Sequence, residues 1–243
     1  MGIKSTCVAL YEGVRQVLFP LRCPVCDRIV KPYGEKICLE CLDKLKPVSA
    51  PWCRVCGRGL HGSKELCEEC ESGNVHMYQR CRSLYDYRSV AKSIYRFKYG
   101  GRKEYGDFYG EEMARGLGEY IRGISPEAIV PIPLHEKRYR SRGYNQAAVL
   151  AKVIGGQLGL PVYDNYLIRV KNTAPLKEQN AKERQNNLKR AFLVRKNDVK
   201  LKTILLIDDI YTTGSTVDEA AAALLESGVR EVYVATLAGN VEG

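Results

Sequence analysis

Apolar residues along this chain follow two different patterns, with a change near residue 82. After that point, segments with helical spacing alternate with short apolar runs. The predicted helices span residues 87–99, 107–122, 149–158 and 216–228. The predicted strands span residues 128–134, 162–170, 203–208 and 231–238, and a polar loop follows the first of them. This alternation predicts an α/β fold, in which helices flank a parallel sheet and ligands bind beyond the carboxyl ends of the strands.

The N-terminal part is dominated by cysteine instead. Tyr11, Val14 and Leu18 lie at helical spacing and predict one short packing helix. Beyond it, eight of the ten cysteines form four Cys-x-x-Cys pairs within 48 residues. We therefore expect a small domain over residues 1–80 and a larger one over residues 81–243.

The cysteine pairs predict metal sites. In a reducing compartment their spacing argues against disulfides and for zinc, because a two-residue gap lets both sulfurs of a pair point at one ion. Two pairs complete a tetrahedral site, which predicts two structural zinc ions. The predicted ligands are Cys23, Cys26, Cys38, Cys41, Cys53, Cys56, Cys67 and Cys70.

The four pairs belong to a repeat with a period of about 30 residues. The segments CPVCDRIVKPYGEKICLEC and CRVCGRGLHGSKELCEEC share a Val-Cys-x-Arg start and a Cys-x-Glu-Cys end. Gaps of 11, 11 and 10 residues leave interleaved ligation open, but a repeat with one complete ligand set favours one zinc per ribbon. Neither ribbon could bury a core of its own, so metal binding must supply most of its folding energy. Cys7 and Cys81 are interpreted as small buried hydrophobes, and His61 and His76 as surface or packing residues.

Charge adds a candidate partner. The 243 residues carry a formal charge of +10, and two four-thiolate zinc sites of about −2 each lower this to about +6. Residues 88–103 contain six Lys or Arg and no acid, and residues 169–196 contain nine against two acids. Such clusters suit an anionic partner, although solvated helix faces are the alternative.

Membrane insertion is not expected. No stretch approaches the ~20 apolar residues of a membrane span. The N-terminal run CVAL is interrupted by Glu12 and Arg15, so no signal peptide is predicted. We therefore predict a cytoplasmic protein.

The segment ILLIDDIYTTGST, residues 204–216, carries the main candidate site. Asp208 and Asp209 end a buried strand, and a loop with hydroxyl groups and glycine follows. Amides, hydroxyls and a helix N-terminus suit a phosphate, whereas two carboxylates suit the hydroxyl groups of a sugar. One ligand satisfies both halves, namely a ribose that carries a 5′-phosphate.

Other interpretations of this segment fit less well. A Walker-B strand needs a Walker-A partner, and the chain contains neither Gly-Lys-Ser nor Gly-Lys-Thr. The Rossmann fingerprint is missing, since Gly116 and Gly118 lack a third glycine and follow no predicted strand. As pure structure, the two aspartates would be a capping pair in a turn.

These residues resemble a known family. ILLIDDIYTTGST resembles the signature of type I phosphoribosyltransferases, which bind 5-phosphoribosyl 1-pyrophosphate (PRPP). VPIPLHEKRYRSRGYNQA and RVKNTAPLKEQNAKERQNNLKRAF resemble two further signatures of the ComF/GntX family, whose members carry an N-terminal double zinc ribbon. The similarity covers residues 20–238. It implies a type I phosphoribosyltransferase fold preceded by a double zinc ribbon.

The resemblance also implies roles for single residues. Asp208 and Asp209 would hold the ribose hydroxyls, with Mg²⁺ bridging to the pyrophosphate. Arginines in the loop after VPIP would neutralise the pyrophosphate. The implied 5′-phosphate cradle is Thr212, Thr213, Gly214, Ser215 and Thr216, and the implied arginines are Arg138, Arg140 and Arg142. Residues 171–190 correspond to a flexible loop, with Lys171, Gln179, Arg184 and Asn187 as candidates.

Two functions follow as hypotheses. The family is implicated in handling single-stranded DNA during natural transformation, together with DNA-uptake and recombination proteins. The basic segment YRSVAKSIYRFKYGGRKEY mixes cations with aromatic residues, as in single-strand binding surfaces. The alternative is an active phosphoribosyltransferase of nucleotide or base metabolism without a DNA role. Glutamine-fed ammonia transfer is not expected, because no N-terminal catalytic cysteine is present.

Overall fold

The computed structural model describes residues 20–32, 34–171, 191–195 and 199–242. One compact unit ends at Leu45, and a second spans Lys46–Gly243. The first ribbon belongs to the first unit, and the second ribbon shares the other unit with the α/β part. The predicted domain boundary after residue 80 stays a prediction. The expected helix around Tyr11 and the loop candidates Gln179, Arg184 and Asn187 lie outside the described residues.

The described part contains the following strands and helices. The strands are β1 (Arg80–Asp86), β2 (Ala128–Pro131), β3 (Leu167–Arg169), β4 (Phe192–Val194), β5 (Thr203–Ile210) and β6 (Glu231–Gly239). The helices are α1 (Leu39–Leu42), α2 (Glu68–Glu71), α3 (Tyr87–Tyr99), α4 (Tyr105–Gly116), α5 (Gly118–Ile124), α6 (Glu136–Arg142), α7 (Gln146–Leu158) and α8 (Ser215–Glu226). Among these residues no helix combines the length and the apolar character that a membrane crossing needs.

The central sheet confirms the predicted fold class. Its strands run parallel in the order β1-β6-β5-β2, so β5 lies inside the sheet. Parallel strands end at the same edge, and this places the carboxyl ends of β2 and β5 side by side. The short strands β3 and β4 form a separate antiparallel pair.

Both faces of the sheet are buried, which explains the continuous apolar run in β5. Ile204 and Leu206 are fully buried in a cluster formed with α8, the β3–β4 pair and the second ribbon. Leu205 and Ile207 alternate with them and are equally buried. Helix α7 packs on β5 and β2. The second ribbon is therefore part of the core on one side of the sheet.

Two segments differ from the sequence prediction. The predicted polar loop after β2 contains helix α6, which begins after His135, whose Nδ1 accepts a hydrogen bond from Lys137 N at 3.2 Å. Its sequence EKRYRSR has no apolar stripe, so periodicity could not reveal a helix. The predicted strand over residues 162–170 is wrong as a member of the parallel sheet. Only β3 is a strand there, and Val162 makes an isolated bridge to Ile129.

Further differences concern boundaries. The predicted helix over residues 107–122 is two helices, α4 and α5, which meet at Leu117 between two glycines that weaken a continuous helix. Strands β1 and β4 were not predicted. In β1 the sequence RCRSLYD has charged residues at three of its seven positions and so lacks the apolar run of an inner strand, as an edge strand permits.

The two ribbons repeat each other in hydrogen bonding as well as in sequence. Cys23 N donates to Arg28 O at 2.8 Å, and Cys53 N donates to Arg58 O at the same distance. Each of these arginines pairs with the glutamate of the following Cys-x-Glu-Cys segment, at 3.2 Å in the first ribbon and 2.8 Å in the second. The repeat inferred from the sequence is therefore a repeated structure.

One position distinguishes the ribbons. Gly57 and its equivalent Asp27 both have positive φ, 72° and 59°. A Cβ on Gly57 would lie 2.4 Å from the carbonyl oxygen of Cys81 in β1. Cys81 N also donates to Val55 O at 2.8 Å. Glycine is required in the second ribbon because its turn packs directly against the backbone of the sheet.

Candidate functional site

The acid pair lies at the carboxyl end of β5, inside the parallel sheet. Asp208 Oδ1 accepts a hydrogen bond from Asp209 N at 2.8 Å, and Asp209 is only 7% exposed. Burial, together with repulsion from Asp209, raises the pKa of Asp208 to about 7. Two carboxylates so close together in a buried place need a cation beside them.

Lys98, at the end of α3, provides one such cation. Its Nζ lies 2.9 Å from Asp209 Oδ1, and the two side chains are 19% and 10% exposed. Burial lowers the pKa of Lys98, but attraction to Asp209 outweighs this and raises it. Sequence reasoning missed Lys98. The available signal was its position four residues after buried Ile94, which places it on the apolar stripe of the helix.

The residues RGYNQ, at positions 142–146, belong to a segment that resembles a ComF/GntX signature. They hold the end of α3 and thereby position Lys98. Tyr144 Oη and Gln146 Nε2 both donate to the carbonyl oxygen of Phe97, the latter at 3.1 Å. Asn145 Oδ1 caps α7 by accepting from Ala147 N, and its Nδ2 donates to Ile132 O. These bonds hold the carbonyl that precedes Lys98 against the start of α7.

The predicted phosphate cradle lies between β5 and α8. Gly214 has a φ of 78°, and a Cβ on it would lie 2.5 Å from Tyr211 Oη, so glycine is required for both reasons. Thr213 Oγ1 and Ser215 Oγ lie 2.8 Å apart. Asp218 N donates to Gly214 O at 2.8 Å as the first bond of the helix, so the amides before it have no partner within the helix. Such an arrangement is suited to an anion.

The three predicted arginines are distributed over two sides of α6. Arg138 and Arg142 are half-buried, and burial together with repulsion from Arg142 lowers the pKa of Arg138. Arg142 donates to Tyr99 Oη and Gln146 Oε1, both at 3.0 Å. Arg140 is exposed and pairs with Glu136 of the same helix. Arg138 and Arg142 are thus brought together, and Arg140 points to solvent.

Arg169, the last residue of β3, is a further basic residue that sequence reasoning missed. Burial and the charges of Arg138 and Arg142 lower its pKa, whereas Asp208 and Glu219 act in the opposite direction. Its guanidinium group lies 5.2 Å from the ring centroid of Phe192. Arg169 therefore lies within the field of both the acid pair and the arginines. In the sequence, Arg169 was marked only as the first residue of RVKNTAPLKEQNAKERQNNLKRAF, which resembles a ComF/GntX signature.

Glu219 of α8 also interacts electrostatically with Arg169. Burial raises the pKa of Glu219 to about 7, and the attraction of Lys171 and Arg169 opposes this effect. Lys171 was a predicted loop candidate. The described site thus brings acids and bases together, since Arg169 interacts with both Asp208 and Glu219.

The cysteines are grouped as the sequential arrangement predicts. The Sγ atoms of Cys23, Cys26, Cys38 and Cys41 form one group, and those of Cys53, Cys56, Cys67 and Cys70 form another, each within 4.8 Å. The distances Cys26–Cys38, 3.9 Å, and Cys56–Cys67, 3.6 Å, match the ~3.8 Å edge of a tetrahedral zinc–sulfur site. Both groups fit zinc.

The chemistry of the thiols also requires a cation. Burial and neighbouring thiols raise the pKa of Cys41 to about 12, and the same causes raise that of Cys70 to about 12. Four buried thiols therefore cannot all ionise unless a cation lies among them. A bound zinc ion supplies that charge and releases the protons.

Two family models match separate parts of the chain. A model described as "Double zinc ribbon domain" matches residues 14–71. A model described as "Phosphoribosyl transferase domain" matches residues 141–243. The second match contains the acid pair, the cradle and Arg169, whereas Lys98 lies outside it.

Characterised proteins resemble the chain over most of its length. Competence protein F of Haemophilus influenzae is 31% identical over 229 residues, which cover 90% of this chain and 97% of that protein. Competence protein ComFC of Bacillus subtilis is 32% identical over 212 residues, 82% of each chain. DNA utilization protein YhgH of Salmonella typhimurium is 30% identical over 203 residues, 75% of this chain and 87% of that protein. The chain therefore belongs to the ComF family, that of competence protein F and ComFC.

Proposed function

We propose that this protein binds Mg²⁺ together with PRPP or another 5′-phosphorylated ribose at the edge of its sheet. The observation that carries the proposal is the junction of β5 and α8, where a buried acid pair adjoins a cradle of hydroxyls and amides. The cradle would take the 5′-phosphate. Asp208 and Asp209 would accept hydrogen bonds from the ribose hydroxyls and attract Mg²⁺, a cation that prefers oxygen ligands.

The basic side chains fit the other end of such a ligand. Burial and the charge of Arg142 lower the pKa of Arg138, burial and the charges of both arginines lower that of Arg169, and Arg169 also interacts with Asp208. Guanidinium groups bind phosphates through paired hydrogen bonds, so this group suits the pyrophosphate of PRPP. Lys98 would balance part of the negative charge of the acid pair through its 2.9 Å contact with Asp209.

We further propose that the protein takes part in handling single-stranded DNA during natural transformation, in the cytoplasm, where thiols stay available for zinc. The names of its relatives, two competence proteins and a DNA utilization protein, support this role. So does an aromatic surface made of Tyr95 and Tyr99, which are 66% and 61% exposed. The rings of Tyr95 and Tyr99 lie 5.1 Å apart, and Arg142 lies 4.7 Å from the ring centroid of Tyr99. Exposed rings beside cations suit base stacking and phosphate contact.

The ligand proposal is tested by thermal unfolding. PRPP with Mg²⁺, at about a hundred times its Kd, is expected to stabilise the protein by about 2.7 kcal/mol and to raise its Tm by several °C. The double variant Asp208→Asn/Asp209→Asn is expected to lose this rise, because it removes both carboxylates. Each variant is compared with its own ligand-free form.

The control for the lost charge is Asp43→Asn/Glu226→Gln, which changes two exposed acids outside the site. It should respond to PRPP as the wild type does. A wild-type protein that shows no rise with PRPP and Mg²⁺, or a double variant that keeps the rise, would contradict the proposal.

The DNA role is tested with an oligothymidine strand. Tyr95→Ala/Tyr99→Ala is expected to weaken binding by about tenfold or more, because each stacked base contributes about 1–3 kcal/mol. The slope of log affinity against log salt, about −0.7 for each phosphate contact, should stay the same because no cation is removed. Tyr95→Phe/Tyr99→Phe keeps both rings and should bind normally. Equal binding by the alanine and phenylalanine variants would remove the stacking surface from the proposal.

Turnover separates this role from the alternative of a phosphoribosyltransferase in nucleotide or base metabolism. A transferase releases pyrophosphate when an amine or base acceptor is added to PRPP and Mg²⁺. PRPP binding without pyrophosphate release over a panel of bases would favour a binding role.

A further inference from the structure

His76 connects the second thiolate cluster to the helix that follows the phosphate cradle. Its Nδ1 lies 2.8 Å from Asp218 Oδ2, and its Nε2 lies 3.7 Å from Cys70 Sγ. A carboxylate only accepts hydrogen bonds, so the imidazole Nδ1 donates to Asp218. The side chain of His76 is 7% exposed and that of Asp218 is 23% exposed. The imidazole therefore lies between a zinc ligand and α8, largely shielded from water.

Asp218 is also part of the cradle's own geometry. Its backbone N–H donates to Gly214 O at 2.8 Å and thereby closes the first turn after the cradle. Its second carboxylate oxygen, Oδ1, accepts from Met77 N at 2.9 Å. One residue thus holds the helix start through its backbone and the end of the second ribbon through its side chain.

A second connection runs in parallel. The ring of His76 stacks on that of Tyr78, with centroids 4.9 Å apart. Tyr78 Oη lies 2.7 Å from Tyr211 Oη, in a buried pair. Tyr211 in turn contacts Gly214, where the hydroxyl oxygen leaves no room for a Cβ. The segment after the second ribbon is therefore connected to the cradle in two ways, through Asp218 and through Tyr211.

The first ribbon has no comparable connection in its sequence. Cys41 is the equivalent of Cys70, and the six residues that follow it, LDKLKP, contain no histidine. Holding zinc makes the same demand on both ribbons, so it does not explain why a histidine follows only the second one. The imidazole is found after the ribbon that shares a core with the sheet.

We propose that His76 is a positioning residue that couples the second thiolate cluster to the phosphate cradle. When zinc fills this cluster, Cys70 is held in place, and His76 then holds Asp218 and the first turn of α8. The identity of the ligand in the cradle rests on the proposed function, whereas the support of α8 does not. By thermodynamic linkage, a ligand in the cradle must in turn stabilise zinc in the second cluster and not in the first.

The direct test is hydrogen exchange on the zinc-loaded protein. In His76→Phe, which keeps a ring for Tyr78 but loses both polar contacts, the amides of residues 215–222 are expected to exchange about tenfold faster. The matched control is His61→Phe. His61 lies in the same ribbon, and its Nε2 contacts Glu242 O at 3.0 Å rather than α8. Exchange in this segment should be unchanged in His61→Phe.

The linkage test uses ribose 5-phosphate with Mg²⁺ as the probe and zinc release to a chelator as the readout. Saturating probe is expected to slow the release of one of the two zinc ions by about tenfold in the wild type and in His61→Phe. In His76→Phe the probe should leave both release rates unchanged. The first cluster serves as an internal control, and a general loss of stability would not remove the effect of the probe on one zinc alone.

The outcomes separate the two proposals. Unchanged exchange of residues 215–222 in His76→Phe overturns the coupling, whatever the probe does. In another outcome, residues 215–222 exchange faster in His76→Phe, but the probe changes the release of neither zinc in the wild type. This result would agree with a role of His76 in holding α8 and would contradict the proposed ligand. A His76→Phe protein in which the probe still protects one zinc overturns the linkage.

Discussion

Cys56→Ser is expected to destabilise the unit Lys46–Gly243 strongly, whereas the equivalent Cys26→Ser is expected to leave the stability of that unit almost unchanged. Cys56 is 2% exposed and belongs to the apolar cluster that fills one side of the sheet. Without a complete ligand set the second ribbon loses zinc, and the core beneath α8 loses part of its packing. The first ribbon belongs to the other compact unit.

The expected difference is large enough for a simple measurement. Metal binding contributes several kcal/mol to a four-thiolate ribbon, and each kcal/mol shifts the Tm of a unit of this size by about 2–4 °C. Cys56→Ser should therefore lower the main transition by more than about 10 °C or abolish it. Cys26→Ser should move it by only a few °C while the protein retains one zinc.

Native mass spectrometry counts the zinc ions that each variant retains. Near-ultraviolet circular dichroism during heating follows the unfolding of the unit Lys46–Gly243. Both variants make the same chemical change at equivalent positions of the repeat, so each is expected to lose one zinc ion and to keep the other. Equal losses of Tm in the two variants would mean that both ribbons support the sheet to the same extent.

The parts of the site that the sequence predicted are contiguous along the chain. Asp208, Asp209 and the loop to Thr216 lie within one strand–loop–helix segment, so their proximity follows from local structure alone. The zinc ligands were predictable for the same reason, because a ribbon brings its own cysteine pairs together. Local sequence therefore predicted the acid pair, the cradle and both metal sites as groups.

The parts that were missed depend on tertiary structure. Lys98 lies 111 residues before its partner Asp209, and His76 lies 142 residues before Asp218. Nothing in the local sequence of α3 or of the second ribbon specifies what will face them. The best available clue was a charged or polar residue on the buried side of an element, since such a residue needs a partner.

The strands were predicted unequally for a physical reason. β5 is buried on both faces and shows it through four consecutive aliphatic residues. β1 is an edge strand, so it can carry Arg80, Arg82 and Asp86 and shows no continuous apolar run. The segment around residue 162 has strand-like composition but pairs with β2 at one bridge only.

Lys98→Met is expected to lower the free energy of unfolding by about 3 kcal/mol near neutral pH, because it leaves the Asp208–Asp209 pair buried without its nearest cation. Lys92→Met removes an exposed lysine from the same helix and should change stability by less than about 0.5 kcal/mol. The double variant Lys98→Met/Asp209→Asn, which removes both charges of the ion pair, should recover most of the loss. Urea unfolding of the four proteins provides these values.

The loss in Lys98→Met is also expected to depend on pH, with a sign that follows from Asp208. Burial and Asp209 raise the pKa of Asp208 to about 7. A raised folded-state pKa contributes stability that is fully present below the ordinary pKa near 4 and is lost as the pH rises through about 7. Removing the lysine raises that pKa further. At pH 6 the pair holds a proton in both proteins, whereas at pH 8 the wild-type pair has released it and the variant pair can do so only at a higher cost in free energy. The difference between wild type and Lys98→Met should therefore be larger at pH 8 than at pH 6, and an equal difference at both values would mean that Lys98 does not hold the acid pair in its charged form.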